Sequence, residues 1–426
     1  MRSAWIISTG TELTLGQTVA TNGAWLAARL AAVGIRTQRH ITVPDDEAAT
    51  RAAILEAAAA CDVIVVTGGL GPTDDDLTRA ALAGATGAPL ELHAPSLERI
   101  RAFFTARGRT MPEHNAVQAL APRHSTILPN ACGTAPGILA TVRGIPCYVL
   151  PGVPFEMRVM FDAEVVPRLR GATGETVVLS RRLHTFGMGE SDVGEQIRDL
   201  MQRGRNPEVG TTAEFGQIGI RINATAPSLP AATTLLDETE TEIRRRLGVV
   251  VFGCEDDTLA RVVGELLVHA GQTLCTAESC TGGLIGTLIT DVPGSSRYYA
   301  GGVIAYANDV KADLLGVDRT DLDRHGAVSE PVARALAEGA RRTFRTDFAL
   351  STTGIAGPDG GTAAKPVGLV YIGLASPAGT EMHEFRFGHD ASREAIRLRA
   401  ARTALNLLRL KLVPPAAVHG GVVSGR

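Results

Sequence analysis

The amino-acid sequence predicts an α/β protein with a doubly wound N-terminal domain, a small α+β middle domain and a C-terminal α/β domain. Short apolar runs alternate with Ala/Leu-rich helical stretches at both ends of the chain, which is typical of parallel sheets covered by helices on both faces. In the middle, strands dominate after a Gly/Thr-rich stretch at 170–175. A chain of 426 residues has room for roughly two to four domains.

The first domain, residues 1–168, begins with an ordered series of elements. We predict strand Ala4–Ser8, helix Asn22–Val33, strand Thr37–Val43, helix Thr50–Ala60 and strand Asp62–Thr67. Ligands of such sheets bind beyond the carboxyl ends of the strands. The loops after Ser8, Thr67 and Leu150 are therefore where a ligand is expected.

The middle domain, 169–250, and the C-terminal domain, 256–413, follow. In the former we predict strands at 176–186 and 218–226, helices at 190–201 and 231–246, and a final strand with a hinge over 249–257. In the latter we predict helices at 258–270, 283–290 and 392–412 and strands at 273–277, 299–306, 347–353 and 367–374. Residues 414–426 have the composition of a flexible tail.

Composition excludes several function classes. The net charge of −3 argues against direct nucleic-acid binding, which usually requires a basic surface. No run of about 18 apolar residues predicts a membrane span, and the N-terminus lacks a signal-peptide pattern. The six cysteines form no CxxC pair, which favours free thiols and a cytoplasmic location.

Lysine is scarce: Lys311, Lys365 and Lys411 are the only lysines among the 42 lysines and arginines. Because arginine does not release its proton in proteins, whereas a lysine with a lowered pKa does, a retained lysine is a candidate base. Lys411 is explained by the end of a helix, where a cation is favourable.

The segment ESCTGG, residues 278–283, places Ser279 where a predicted strand turns into a helix. Amides from Cys280 to Gly283, with the helix dipole, are expected to hold an oxyanion, although a simple helix cap explains the segment equally well. Lys311 follows the neighbouring predicted strand. Since parallel neighbours end at one sheet edge, we expect a Ser–Lys nucleophile pair, with Cys280 as the rival nucleophile.

Two further segments fit a substrate site at the same edge. Thr353 and Gly354 lie in TTGIAGP after a predicted strand, and hydroxyls and glycine amides of this type cradle anions. Arg393 opens the last helix and could clamp a phosphate, although a solvated arginine is the simpler explanation.

An acidic loop follows the buried strand of the first domain. GGLGPTDDD, residues 68–76, combines glycines that allow close approach of an anion with carboxylates that suit Mg²⁺. An ordinary capped helix start would explain about two of the three acids.

The chain resembles the CinA family (competence/damage-inducible protein A) over almost its full length. The match rests on ESCTGG, PGSS, YANDVK, GAVSE, TGIAGP and KPVG in the C-terminal third. The resemblance implies a PncC-type amidohydrolase that converts nicotinamide mononucleotide (NMN) and water to nicotinate mononucleotide and ammonia, without a cofactor. It places the catalytic serine on Ser279 and the lysine on Lys311. The implied oxyanion and substrate residues are Cys280, Thr281, Gly282, Gly283, Tyr306, Thr353, Gly354 and Arg393.

The N-terminal third resembles the molybdopterin-binding-like domain of CinA through TGGLGPTDDDLT and PGVPFEM. The resemblance implies an ADP-ribose pyrophosphatase that uses a divalent metal (Mg²⁺ or Co²⁺) and is promoted by potassium. The implied nucleotide-site residues are Glu12, Asn22, Gly68, Gly69, Gly71, Asn115 and Gly133. The implied metal ligands are Asp74, Asp75, Asp76 and Glu156.

The middle domain resembles the KH-like module of CinA but has no clear basic GxxG loop, so a connector or homodimer element is expected. Two alternatives to a two-enzyme protein stay open. The N-terminal domain could be a non-catalytic nucleotide- or pterin-binding module, or the whole chain could be a competence or DNA-damage accessory protein.

Overall fold

The computed structural model describes residues 2–170, 177–388 and 391–413. The chain forms two compact units, one of Met1–Leu179 with Ala224–Thr234 and the other of Ser180–Asn223 with Leu235–Arg426. The predicted tail, 414–426, and most of the predicted boundary at 170–175 lie outside the described residues.

The N-terminal region contains eight strands and seven α-helices in its described residues. In chain order they are β1 (Arg2–Thr9), α1 (Thr11–Thr14), α2 (Thr21–Ala32), β2 (Ile35–Val43), α3 (Glu47–Ala60), β3 (Val63–Thr67), α4 (Thr78–Thr86), β4 (Leu90–Leu92), α5 (Ala94–Thr105), β5 (Leu120–Pro122), β6 (Thr126–Leu128), β7 (Gly137–Val142), β8 (Ile145–Leu150), α6 (Pro154–Met160) and α7 (Val166–Arg170). A 3₁₀ helix, Glu113–Ala119, and a π-helix, Phe161–Val165, complete the region.

A six-stranded sheet with the order β2-β1-β3-β8-β7-β6 forms the centre of this unit. The strands from β2 to β8 run parallel, while β7 and β6 are antiparallel additions at one edge. Two apolar cores cover its two faces, one built around α3 and the other around α2 and α6. The predicted doubly wound fold is confirmed; the antiparallel edge was not predicted because β6 has only three residues.

The middle region forms a four-stranded sheet with helices. Its elements are β9 (Val177–Phe186), α8 (Glu190–Gln196), β10 (Glu208–Glu214), β11 (Gln217–Ala226), α9 (Leu229–Leu247) and β12 (Val251–Cys254). The strand order is β10-β11-β9-β12. Strand β10 was not predicted, because its sequence EVGTTAE is polar and largely exposed and carries little hydrophobic periodicity.

The C-terminal region is a mixed sheet packed between helices. Its elements are α10 (Leu259–Ala270), β13 (Leu274–Glu278), α11 (Leu284–Thr290), β14 (Tyr299–Ile304), α12 (Asn308–Leu315), α13 (Arg319–His325), α14 (Glu330–Phe344), β15 (Phe348–Gly354), β16 (Leu369–Ser376), β17 (Gly379–Arg386) and α15 (Arg393–Leu412). Strands β14, β13 and β15 are parallel, and β16 and β17 continue the sheet in antiparallel pairing.

The central strand of this sheet positions the candidate nucleophile. β13 is buried along its whole length between its parallel neighbours, and one core of this unit packs α10 and α15 against the sheet. The carboxyl ends of β13, β14 and β15 therefore meet at one edge, as the sequence predicted for Ser279 and Lys311. All six cysteines are free, and no helix among the described residues has the length and apolarity needed to cross a bilayer.

Candidate functional site

Ser279 lies at the turn that leaves the carboxyl end of β13. Its amide donates to Thr352 O on β15 at 2.9 Å, which fixes the start of the turn. Gly282, with φ 61°, adopts a left-handed conformation that glycine accepts without strain. Ser279 is 9 % exposed, so little of the residue reaches solvent.

The buried carboxylate of Glu278 occupies the start of helix α11. It accepts hydrogen bonds from the amides of Ile285 at 3.0 Å and Gly286 at 2.8 Å, and the residue is 1 % exposed. The amides of Ile285 and Gly286 therefore already have an acceptor, which leaves the turn amides from Cys280 to Gly283 as the predicted oxyanion donors.

The amides of the preceding turn remain as oxyanion donors. Gly282 N donates to Ser279 O at 3.1 Å, and the amides of Cys280 and Thr281 face the Cys280 sulfur, which is a weak acceptor. The turn therefore offers backbone donors next to the serine for a developing negative charge.

Lys311, on α12, is 1 % exposed. Its Nζ donates to Ala305 O at 2.8 Å and to Tyr306 O at 2.9 Å, and Ala305 N donates to Glu278 O, directly before the serine. Burial lowers the pKa of Lys311, partly offset by the nearby Cys280. Two carbonyls hold the two N–H bonds of a neutral amine and leave its lone pair free.

The structure brings Lys311 to the Cys280 side of the turn, but no hydrogen bond among the described residues joins its Nζ to Ser279 Oγ. Cys280 itself is 6 % exposed, and burial raises the pKa of its thiol to about 12. Because the thiolate is the nucleophilic form, this raised pKa favours Ser279 over Cys280 as the nucleophile.

Tyr306 and Arg393 form an exposed pair at the rim. Arg393 donates through Nη2 to Tyr306 Oη at 3.1 Å and through Nη1 to Gly357 O at 2.7 Å. One turn further along α15, Arg397 donates to Thr281 O at 2.7 Å. Helix α15 thereby places two guanidinium groups in contact with the loops of the site.

Three predicted substrate residues make contacts within the loops of the site. The Thr353 hydroxyl donates to Ala327 O at 2.7 Å, and Thr281 Oγ1 pairs with Thr352 Oγ1 at 2.7 Å; both threonines are buried. A Cβ on Gly354 would approach Leu369 O to 2.7 Å. These contacts fix the shape of the loops, and a role in substrate binding stays a prediction.

The N-terminal unit contains a cleft of about 350 Å³ at the carboxyl ends of β1 and β3. From the predicted set it is lined by Glu12, Asn22, Gly68, Gly69, Asp75 and Asp76. Asn22 Nδ2 donates to Gly152 O at 2.8 Å, while its buried Oδ1 has no hydrogen-bond partner among the described residues. Gly69 is required because a Cβ there would come within 2.1 Å of Thr78 Oγ1.

The other predicted N-terminal residues do not line this cleft. Asn115 donates to Gln118 Oε1 at 3.0 Å beneath the loop. Glu156 accepts from Asn130 Nδ2 at 2.6 Å and lies against Gly133, where an added Cβ would meet its carboxylate. A Cβ on Gly71 would meet the Asp76 carboxylate.

The four predicted metal ligands do not form one group. Asp76 accepts from Gly71 N at 2.7 Å, Thr73 N at 2.9 Å and Thr73 Oγ1 at 2.6 Å, so its carboxylate holds the loop. Within the described part of the chain, no three His, Cys, Asp or Glu side chains are arranged to hold a metal. These residues therefore do not fit a metal that is held mainly by protein carboxylates.

Several residues at these sites were not singled out from the sequence. Sequence analysis assigned no role to Glu278, although a carboxylate between a buried strand and a helix start indicates a helix cap. Arg397 follows Arg393 by one helical turn, which places both on one face. Asp45, which lines the cleft and accepts from Thr11 N at 2.8 Å, follows the carboxyl end of β2.

Three family models match the chain in succession. "Probable molybdopterin binding domain" matches residues 5–171, "Damage-inducible protein CinA KH domain" matches 180–253, and "CinA C-terminal domain" matches 256–412.

Full-length relatives match as well. A "CinA-like protein" of Parasynechococcus marenigrum is 46 % identical over 412 residues, which cover 96 % of this chain and 98 % of the relative. A "Putative competence-damage inducible protein" of Symbiobacterium thermophilum is 42 % identical over 96 % of this chain and 99 % of the relative. The crystal structure of "competence/damage inducible protein CihA" from Agrobacterium tumefaciens is 44 % identical, covers 36 % of this chain and 93 % of that one, and has a TM-score of 0.35.

Proposed function

Because the chain belongs to the CinA family, we propose that its C-terminal domain is an amidohydrolase that converts NMN and water to nicotinate mononucleotide and ammonia. The buried amine of Lys311 carries this proposal. A lysine without an acidic partner among the described residues, held by two carbonyls beside the Ser279 turn, has the features of a general base.

In the proposed reaction, Lys311 accepts the proton of Ser279 Oγ as that oxygen attacks the carboxamide carbon. The amides of the turn stabilise the tetrahedral oxyanion. As this intermediate collapses, its amide nitrogen takes the proton from the Lys311 ammonium and leaves as ammonia. The neutral amine then deprotonates a water molecule that attacks the acyl-enzyme, and the Lys311 ammonium returns this proton to Ser279 Oγ as the ester bond breaks.

The exposed rim supports a nucleotide as the substrate. Arg393 carries a positive charge, and the Tyr306 ring beside it, 62 % exposed, offers a flat apolar surface. Guanidinium groups bind phosphate, and aromatic rings stack on heterocycles. We assign the phosphate to Arg393 and the pyridine ring to Tyr306.

Ammonia release from NMN tests the deamidase proposal. Wild type is expected to release ammonia, Ser279→Ala to lose this activity, and Cys280→Ala to retain most of it. Loss in Cys280→Ala with full activity in Ser279→Ala would transfer the nucleophile to the thiol. No ammonia from folded wild type would refute the activity.

For the N-terminal domain we propose binding of an ADP-ribose-like nucleotide in the cleft. Asn22 Oδ1 supplies an open acceptor, and the glycine loop allows close approach of a pyrophosphate. Hydrolysis of ADP-ribose to AMP and ribose 5-phosphate, with Mg²⁺ or Co²⁺ and potassium, is the catalytic form of this proposal. Nucleotide binding without hydrolysis is the second form, favoured by the commitment of Asp76 to the loop.

Incubation with ADP-ribose, Mg²⁺ or Co²⁺, and potassium distinguishes the two forms. AMP that is made by wild type and lost in Asp75→Asn supports catalysis, because Asp75 lines the cleft and asparagine keeps an oxygen that accepts from Thr73, the loop partner of the carboxylate. Binding of ADP-ribose with no AMP supports the binding module. A chain that neither binds nor cleaves ADP-ribose contradicts both.

A further inference from the structure

A second cavity, of about 540 Å³, lies within the unit that holds the middle and C-terminal regions. Helix α15 forms one wall and strand β17 another, and β9, β11 and the segment before β12 close it. Its walls are mainly apolar and include Phe186, Ile218, Phe385, Phe387 and Leu407. The volume lies in the range of small-molecule sites.

Arg409 is a buried cation in the wall of this cavity. It is 3 % exposed, and its polar contacts are neutral: Nε and Nη2 donate to Asn406 Oδ1 at 3.0 and 2.9 Å, and Nη2 donates to Val249 O at 2.7 Å. Burial lowers its pKa to about 10. Among the described residues no carboxylate pairs with it, and its Nη1 makes no hydrogen bond.

The remaining charges of the lining leave the cavity cationic. Arg399 donates to Phe387 O at 3.1 Å and lies over the Phe387 ring, so it also has no acidic partner there. Glu190 is the only acid among the described lining residues and accepts from Thr211. A buried guanidinium whose contacts among the described residues are all neutral is costly unless an anion joins it.

We propose that this cavity binds an amphipathic carboxylate of the fatty-acid class. The carboxylate is placed at Arg409, whose planar guanidinium matches two oxygens. The hydrocarbon chain lies among the phenylalanine and leucine side chains, where removal of apolar surface from water favours binding. The site is independent of the proposed deamidase and needs no reaction.

Calorimetric titration of the full chain with dodecanoate, below its critical micelle concentration, tests the proposal. We expect saturable binding to one site. Dodecyltrimethylammonium, with the same chain and the opposite charge, and acetate, with the head group alone, are expected to bind at least about tenfold more weakly. Absence of dodecanoate binding, or equal binding of the cation, overturns the proposal.

Two substitutions locate the site. Leu410→Glu adds a carboxylate at a cavity residue that is 39 % exposed and should weaken dodecanoate binding about tenfold by repulsion; Leu314→Glu, at a leucine that is 59 % exposed outside the lining, is the control. Arg409→Met should abolish the preference for dodecanoate over the cation. If Arg409→Met fails to fold because Val249 O loses its donor, Leu410→Glu still tests whether dodecanoate binds in this cavity.

An unchanged affinity in Leu410→Glu would overturn the assignment to this cavity. Sedimentation velocity of wild type and Leu410→Glu provides a separate check on what covers the cavity. A wild-type dimer that dissociates in Leu410→Glu, with no dodecanoate binding in either protein, would show that a second copy of the chain occupies this surface, and the ligand proposal would be wrong.

Discussion

The C-terminal and N-terminal candidate sites use their charged groups in opposite ways. At the C-terminal site Lys311 and Glu278 are almost fully buried, and Lys311 has no ionic partner among the described residues. At the N-terminal site Asp74 and Asp75 are exposed, and Asp76 is taken up by hydrogen bonds within its own loop. Burial without a partner is costly, so it is the stronger sign of chemistry; an exposed acidic run is explained by local structure alone.

The largest expected effect tests the base at the C-terminal site. Lys311→Arg keeps a cation but removes a group that loses its proton, so deamidation of NMN should fall by about 10³-fold or more. Initial rates of ammonia release measure this. Lys365→Arg, at another of the three lysines, should leave the rate unchanged. A Lys311→Arg protein as active as wild type would contradict the base role.

The pH dependence of the same reaction sharpens this test. Burial lowers the pKa of Lys311 from 10.5, so the amine becomes neutral at a lower pH than a free lysine. Below that pKa, kcat/KM should rise about tenfold per pH unit, and the rise should level off before pH 10.5. A rate that falls as pH rises would require the charged ammonium instead.

The same pKa shift also predicts the pH dependence of stability. Between the folded pKa and 10.5 the unfolded chain binds more protons at Lys311 than the folded chain does, so this residue makes stability increase as pH rises through that window. Denaturant midpoints of wild type and Lys311→Met should converge with increasing pH. A difference that widens with pH would contradict the shift.

Sequence reasoning placed Ser279 and Lys311 at one sheet edge because it predicted the strands before them as parallel neighbours, and loops after parallel neighbours meet. It did not predict the contact of Glu278, because acceptance of two amides at the start of α11 depends on how the turn folds. The partner of Thr353 was not predictable for a related reason: a hydroxyl in a glycine loop can contact a ligand or a carbonyl, and only the fold places Ala327 opposite it.

The N-terminal acids show where pattern alone fails. The sequence placed three adjacent aspartates after a buried strand, but adjacent residues in a turn point in different directions. Arg79, which donates to Gly71 O at 2.6 Å and faces Asp76, completes a network that the acids alone do not indicate. The position of the loop after a buried strand was predictable; the partner of each carboxylate was not.

After the substitutions of Lys311, Glu278→Ala is expected to have the largest effect, and this effect is mainly on stability. It leaves the buried amides of Ile285 and Gly286 without an acceptor, which should cost about 2–4 kcal/mol and lower deamidation by loosening the serine turn. Glu278→Gln retains one acceptor oxygen and should recover part of both losses. Chemical denaturation and ammonia release measure the two effects. A Glu278→Ala protein with wild-type stability would show that the cap is dispensable.

The smallest effects separate the three aspartates of the N-terminal loop. Asp76→Ala removes the acceptor of three hydrogen bonds and should lower the stability of the N-terminal unit by about 1–2 kcal/mol. Asp74→Ala changes an exposed side chain and should leave the unfolding midpoint unchanged. Asp75→Ala removes the acceptor of a hydrogen bond from Thr73 and should lower the midpoint less than Asp76→Ala does. Proteolysis of the loop in native buffer, together with the unfolding midpoint, measures the difference. Loss of AMP formation in Asp74→Ala or Asp75→Ala, in a protein that remains folded, would give the exposed acids a chemical role, as proposed for the buried charges of the C-terminal site. Equal destabilisation by all three substitutions would contradict the prediction that Asp76 contributes most to the stability of the loop.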